Sequence, residues 1–284
     1  MLYVLSKLPR LLKGHFPVFL DYPIHPHPRY GYGKPPHPQL DAMFAHGANE
    51  YRERLHGFLG AFQEPLLRIA ARAPESSPEP CWINKWLEGL DTFALYCFAA
   101  SRGAKTYLEV GSGYSTKVVR RAIKDHGLKT RMTSIDPHPR AEIDALCDHV
   151  IRKPMETVEL EHFEHLAAGD ILFIDGSHRI FMNSDATVLF LDVLPRLKPG
   201  VLVHIHDIYL PYDYPPERAE WYYSEQYPLA TALLAGHKGF RVVLPNHYAA
   251  MRTEIAAVLG GFWAHAELKG VPHGGTSFWL ETTA

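Results

Sequence analysis

Along the first third of the chain, apolar residues recur at helical spacing. Tyr51, Leu55, Phe58, Leu59, Phe62, Leu66 and Leu67 predict an amphipathic helix from Ala48 to about Ala71. The run APESSPEP at 73–80 breaks it. A second helix is predicted over Asn84 to Arg102, stopped by Gly103. Beyond Gly103 the pattern changes. Short apolar runs at 106–110, 130–136, 149–153, 170–175 and 200–207 alternate with helical stretches at 115–127, 140–147, 155–168, roughly 182–194 and 218–236. FRVVLP (240–245) and TSFWLE (276–281) are predicted as final strands. Five successive strand–helix units with continuously apolar strands predict a mostly parallel sheet of seven strands, doubly wound and covered on both faces. Residues 1–45 look irregular. The chain divides accordingly into an N-terminal connector and helical extension, 1–104, and an α/β domain, 105–284.

Composition narrows the classes. The 284 residues are 46% hydrophobic and 21% charged, with a formal charge of -2. That describes a globular protein with no basic run to hold nucleic acid or an anionic membrane. No run approaches a membrane span. MLYVLSKLPRLLKGHF at the start lacks the uninterrupted apolar stretch and small-residue cleavage site of a signal peptide. The three cysteines, Cys81, Cys97 and Cys147, form no paired framework, which points to a reduced cytoplasm. Histidine and proline concentrate in DYPIHPHPRYGYGKPPHPQLD, residues 21–41. Alternating His and Pro suits a metal, but a proline-stiffened connector is the better reading.

Two apolar runs end abruptly in chemistry. ILFIDGSHR (171–179) runs from a strand into Asp175 and His178, and VLVHIHD (201–207) runs from a strand into His206 and Asp207. Ligands of parallel sheets sit beyond the carboxyl ends of the strands. The turn after the first strand, YLEVGSGYST (107–116), carries Gly111 and Gly113, and Asp136 ends the second strand, where an acid suits ribose hydroxyls. A dinucleotide fingerprint would need a third glycine at Thr116, so the turn alone is weak. An ordinary strand–helix turn remains open. Taken singly, Asp175 reads as a cap or turn former, His178 as a loop residue and His204 as a core histidine.

Glu-x-Gly-x-Gly after a strand, with an acid ending the next, resembles the class I S-adenosylmethionine-dependent methyltransferases over residues 105–284. The resemblance implies a Rossmann-like domain whose cofactor-binding residues are Glu109, Gly111, Ser112, Gly113, Tyr114, Ser115 and Asp136. Many members carry a further glycine where this chain has Ser115. IDGSHR, followed by a glycine-led strand ending in His-Asp, resembles more closely the metal-dependent O-methyltransferases of the catechol and macrocin kind. That implies Asp175, His206 and Asp207 as ligands of a divalent metal, Mg²⁺ or Mn²⁺. It places His178 as the catalytic base beside Asp175. A histidine at 206 is a softer ligand than carboxylate and leans toward Mn²⁺, Fe²⁺ or Zn²⁺. Adjacent strand residues face opposite ways, so His206 and Asp207 bind together only if the strand end bends.

The next segment, IYLPYDYPPERAEWYYSEQY (208–227), is rich in aromatics. Tyr212, Asp213, Tyr214 and Glu225 are its candidate substrate residues. Trp82, Asn84 and Trp86 either close an acceptor pocket, build a homodimer, or belong to the core. The expected activity is O-methylation of a small or glycosylated acceptor. The alternatives are a non-haem metal oxygenase using His204, His206 and Asp207, a non-catalytic nucleoside-binding protein on the same fold, and, more weakly, a nicotinamide dehydrogenase.

Overall fold

The computed structural model describes residues 21–22, 24–139, 142–236 and 238–284. The N-terminal stretch weighed as a signal peptide, and Arg140 and Ala141 of a predicted helix, lie outside the described residues.

Seven strands form one sheet: β1 Thr106–Val110, β2 Arg131–Ile135, β3 His149–Ile151, β4 Ile171–Ile174, β5 Leu202–Ile205, β6 Phe240–Pro245 and β7 Phe278–Thr282, in the order β3-β2-β1-β4-β5-β7-β6. β1 to β5 are parallel, and β7 runs antiparallel to both β5 and β6. The mostly parallel seven-stranded α/β sheet is therefore as the pattern predicts. β1, β4 and β5 are almost wholly buried, which is why their sequences are apolar rather than alternating.

The parallel register sets the site. Val110 pairs with Ile135 on one side and Ile174 on the other, and Ile174 pairs with Ile205. The residues that follow, Gly111, Asp136, Asp175 and His206, stand level at the carboxyl edge. Backbone bonds continue one step past the strands: Gly111 N to Ile135 O, Asp175 N to Val110 O and His206 N to Ile174 O, at 2.9–3.1 Å.

The helices fit the expectation less closely. The long N-terminal helix is Ala48–Leu67 and the next is Gly89–Ser101, starting five residues later than predicted. Asn84 explains the delay: its side chain accepts from Trp86 N and Leu87 N and donates to the carbonyls of Cys81, Trp82 and Leu87, holding a turn instead. Pro38–His46 is a helix, not irregular chain; His37 accepts from Leu40 N at its start. The stretch 155–168 is not one helix but two short turns, Met155–Thr157 and Glu161–Glu164. Met155, Val158, Phe163 and Leu166 are all buried, but Val158 takes an extended backbone, φ -90 and ψ 140, which ends the first turn and keeps the two from joining. Residues 182–194 begin as a helix at Asp185, widen into a π turn over Leu189–Val193, and end in a 3-10 turn, because Pro195 cannot donate to the ladder. The helix expected over 218–236 divides into a 3-10 stretch, Pro216–Trp221, and a helix, Gln226–Leu234. Of the predicted helix 140–147, the described part holds only a 3-10 turn at Asp144–Leu146.

One apolar core runs through the sheet and the extension alike. Phe98, in the helix Gly89–Ser101, lies 4.3 Å from Trp279 of β7, ring centre to ring centre.

Candidate active site

The first part of the site is a cavity of about 790 Å³ at the carboxyl edge. Gly111, Ser112, Gly113, Tyr114, Ser115, Asp136 and Asp175 line it. Gly111 sits at φ +81, and a Cβ there would lie 1.8 Å from the carbonyl oxygen of Asp175. The turn can therefore reach β4 only with glycine at this position. Asp136 closes the other side: Ser112 N donates to its Oδ2 at 2.8 Å and His138 N to its Oδ1 at 2.7 Å. The extension supplies the lid, from Arg72 through Asn84, Lys85 and Trp86 to Leu87. Tyr114 anchors that lid by bonding to the backbone of Cys81.

Glu109 is placed differently from its sequence role. It is fully buried, outside the cavity wall, and accepts from Tyr107, Ser115 and Thr116 hydroxyls. It braces the glycine turn from behind. Burial pushes its carboxyl up to about 7, against the pull of those hydroxyls.

The second part is a cluster of acids and histidines that shares Asp175 with the cavity. His178 Nε2 lies 3.2 Å from Asp175 Oδ1 and 3.7 Å from Asp207 Oδ2. Its Nδ1 pairs with Glu225 Oε1. His206 Nδ1 lies 3.6 Å from Asp175 Oδ1 and 3.9 Å from Asp207 Oδ1. The alternation that should separate residues 206 and 207 is undone by the backbone: Asp207 adopts φ +55 and His178 φ +62. Such left-handed non-glycine residues cost energy and concentrate at functional sites. Burial works against charge on His178 and His206, but Glu225 with Asp175, and Asp175 with Asp207, outweigh it and hold both imidazoles well above the ordinary histidine range. The same pairs hold Asp175 well below the carboxylate range, although burial opposes it.

The substrate candidates are mostly structural. Asp213 Oδ2 accepts from Arg29 N and Tyr30 N, strapping the His/Pro-rich segment over the loop after β5. Tyr212 packs against Gly31, where a Cβ would overlap its ring. Tyr214 is buried, its hydroxyl accepting from Gln226 N at 3.3 Å. Glu225 is buried too, and reaches the site only through His178. All four have partners within the chain. Packing claims the side chains that a polar, aromatic composition suggests are free. His204 stacks on Phe173 at 3.9 Å and bonds Ser277 Oγ at 2.8 Å, so it faces the core and no oxygenase triad forms with His206 and Asp207. Trp82 is wholly buried, as core, whereas Trp86 is half-exposed at the cavity.

Two residues of the cluster are not apparent from the sequence. Arg218 ion-pairs with Asp207 Oδ2 at 2.6 Å and lies over the rings of Tyr209, Trp221 and Tyr223. Asp91, 1% exposed, lies 3.5 Å from His206 Nε2. Its signal in sequence is slight: one acid in the apolar stretch GLDTFALYCFAA.

Among the described residues no group of three or more His, Cys, Asp or Glu stands ready as a coordination shell. His206 Nδ1 stands between two carboxylate oxygens, Asp175 Oδ1 at 3.6 Å and Asp207 Oδ1 at 3.9 Å.

Residues 108–208 match the family model described as a methyltransferase domain. The chain therefore carries a methyltransferase domain over these residues, on the seven-stranded α/β sheet. Among solved structures, it is similar to the O-methyltransferase TomG of Streptomyces achromogenes, in complex with SAM, at 15% identity, covering 82% of this chain and 98% of that one, with a TM-score of 0.42. It is similar also to the cofactor-bound protein Rv0187 from MTB, at 15% identity over 74% and 85% of the chains with a TM-score of 0.42. The SAH-bound methyltransferase PaMTH1 of Podospora anserina is 19% identical over 66% and 83%, with a TM-score of 0.40. The curated proteins contain no match. Among the described residues no helix is long and apolar enough to cross a membrane.

Proposed function

We propose that this methyltransferase binds S-adenosylmethionine in the cavity at the glycine turn and methylates an oxygen of a small or glycosylated acceptor, with help from a divalent cation. One observation carries the reading. Asp175 belongs both to the cavity lined by the glycine turn and Asp136 and to the cluster of His178, His206 and Asp207. A methyl donor in the cavity would thus lie beside proton-handling and cation-holding groups.

Asp136 is the partner for the ribose hydroxyls, and the open glycine turn admits the rest of the cofactor at close range. S-adenosylmethionine would supply an electrophilic methyl group. A cation held by Asp175, His206 and Asp207 would lower the pKa of an acceptor hydroxyl. His178 is the group that takes the hydroxyl proton. Glu225 holds its Nδ1, which fixes the ring and leaves Nε2 directed at the shared carboxylates. Burial opposes a proton on His178, but Glu225 and Asp175 raise its proton affinity further, as a proton acceptor at this point requires.

The test is calorimetric titration of metal-stripped protein with S-adenosylhomocysteine, with and without Mn²⁺, followed by turnover of a panel of hydroxylated acceptors. Micromolar binding that Asp136→Ala weakens by roughly a hundredfold would support the cofactor site; that loss corresponds to about 3 kcal/mol. Absence of binding in both conditions would refute it.

A further inference from the structure

The acid–histidine cluster is closed off from solvent, and the cover has a specific chemistry. His178 is 3% exposed, and His206 and Asp207 are 6% exposed each. The Arg218 side chain covers Asp207, at 2.6 Å from Oδ2. Its guanidinium carbon lies 5.5 Å from the ring centre of Tyr209, 4.8 Å from that of Trp221 and 5.8 Å from that of Tyr223. Three aromatic rings and one carboxylate thus surround a single cationic group. Tyr223 also packs on His178, ring centres 4.4 Å apart, so this box adjoins the group that takes the hydroxyl proton in the reading above.

Arg218 is poorly placed to be a permanent cover. It stands in the 3-10 stretch Pro216–Trp221, none of whose residues is buried, and its side chain is 27% exposed, so it borders solvent. Two of the rings are held from elsewhere. Tyr209 N donates to Gln226 Oε1 at 2.9 Å, and Ser224 N, next to Tyr223, donates to His178 O at 2.8 Å. Turning the Arg218 side chain outward therefore leaves the box standing. The charge left behind is one-sided. Asp91, Asp175, Asp207 and Glu225 then face only His178 and His206, and Glu88 lies within electrostatic reach of Asp207 as well. A neutral or anionic group in the place of Arg218 would leave Asp207 Oδ2 buried without a counter-charge. Ring faces attract cations but offer no lone pairs to a metal ion, so the group that fits is an organic ammonium.

Resting on methyl transfer at this cluster, we propose that the box of Tyr209, Trp221, Tyr223 and Asp207 anchors the acceptor, that the acceptor is a hydroxylated amine held by its ammonium group, and that Arg218 fills the place until the acceptor displaces it. The experiment uses the whole chain saturated with S-adenosylhomocysteine. It is titrated by calorimetry with choline and with neohexyl alcohol, in which carbon replaces the ammonium nitrogen. Choline is expected to bind at least tenfold more tightly than this uncharged isostere. Arg218→Ala, which empties the box, is expected to tighten choline by roughly tenfold and to leave neohexyl alcohol within about twofold. Adding Tyr223→Leu should remove most of that gain. Equal affinity for the two probes, or no binding of either, would overturn the proposal, and this comparison needs only the unaltered chain. No gain in a folded Arg218→Ala would overturn it too. S-adenosylhomocysteine is titrated alone beforehand. If it binds while choline shows no preference, the methyltransferase reading stands and only the ammonium subsite falls. If it does not bind, the methyl-transfer reading falls, and this proposal with it.

Discussion

Single atoms decide the glycine turn. At Gly111 the missing side chain is a requirement, since a Cβ would strike the backbone of Asp175 and the φ of +81 disfavours any L side chain. Gly111→Ala is expected to destabilise the fold by about 2–4 kcal/mol and to abolish S-adenosylhomocysteine binding. Urea denaturation and calorimetry check both; a loss within about 0.5 kcal/mol would show the turn to be far looser than it looks. Glu109 makes a different prediction. Its folded carboxyl is raised from 4.5 to about 7, chiefly by burial, so its contribution is complete below the unfolded value and is lost as pH rises through the folded one. Between about pH 4.5 and about pH 8, the native chain should lose roughly 2–3 kcal/mol more stability than Glu109→Gln, since a tenfold change in a protonation constant is worth about 1.4 kcal/mol. Parallel denaturation curves of the two proteins would contradict this.

Elements matter by where their ends fall. Because the strands are parallel and in matched register, the residues after β1, β2, β4 and β5 arrive level, and four separated motifs become one site. The segment after β5 has the aromatic and polar composition of a substrate loop. It is instead a packed layer. Asp213 holds the backbone of Arg29 and Tyr30, and Asp213 N in turn donates to Tyr30 O at 3.2 Å. Asp213→Ala should release this strap. Amide exchange at Arg29 and Tyr30 is expected to quicken by tenfold or more, with S-adenosylhomocysteine affinity unchanged, because Asp213 does not line the cofactor cavity. Exchange at the native rate would mean that the Tyr212–Gly31 contact and the backbone bond from Asp213 N to Tyr30 O hold the strap without the carboxylate.

For the molecule entire, the extension belongs to the same packed body as the sheet. The helix Gly89–Ser101 is buried along nearly its whole length, Phe98 packs on Trp279, and Asp91 ties that helix to the approach to β7. Residues 72–87 also form one wall of the cavity. A fragment starting at residue 105 would expose this apolar surface to water, at a cost of about 25 cal/mol per Å². Circular dichroism on heating should show no cooperative transition for that fragment and a single one for the full chain. A cooperative transition in the fragment would mean that the sheet carries its own sufficient core.

Local patterns were enough to specify the order and type of the sheet elements and the placement of Gly111, Asp136, Asp175, His178, His206 and Asp207 at strand ends. Continuous apolar runs mark buried parallel strands, and polar residues mark where a strand leaves the core. The helices were less legible, since Pro195 and the turn around Asn84 redistribute hydrogen bonds over a few residues that periodicity does not resolve. Which side chains face the site was settled by packing between distant parts of the chain. Strand alternation gave no reason for His206 and Asp207 to converge; the left-handed backbone at Asp207 did that. Asp91 and Arg218 lie apart from the motifs along the chain and join the cluster through packing. Tyr212, Asp213 and Tyr214 have the chemistry of binding residues, but the Pro/His-rich strap and Gln226 use it for structure. Residue type states what a side chain is able to do, while its partners, often more than a hundred positions away, determine what it does.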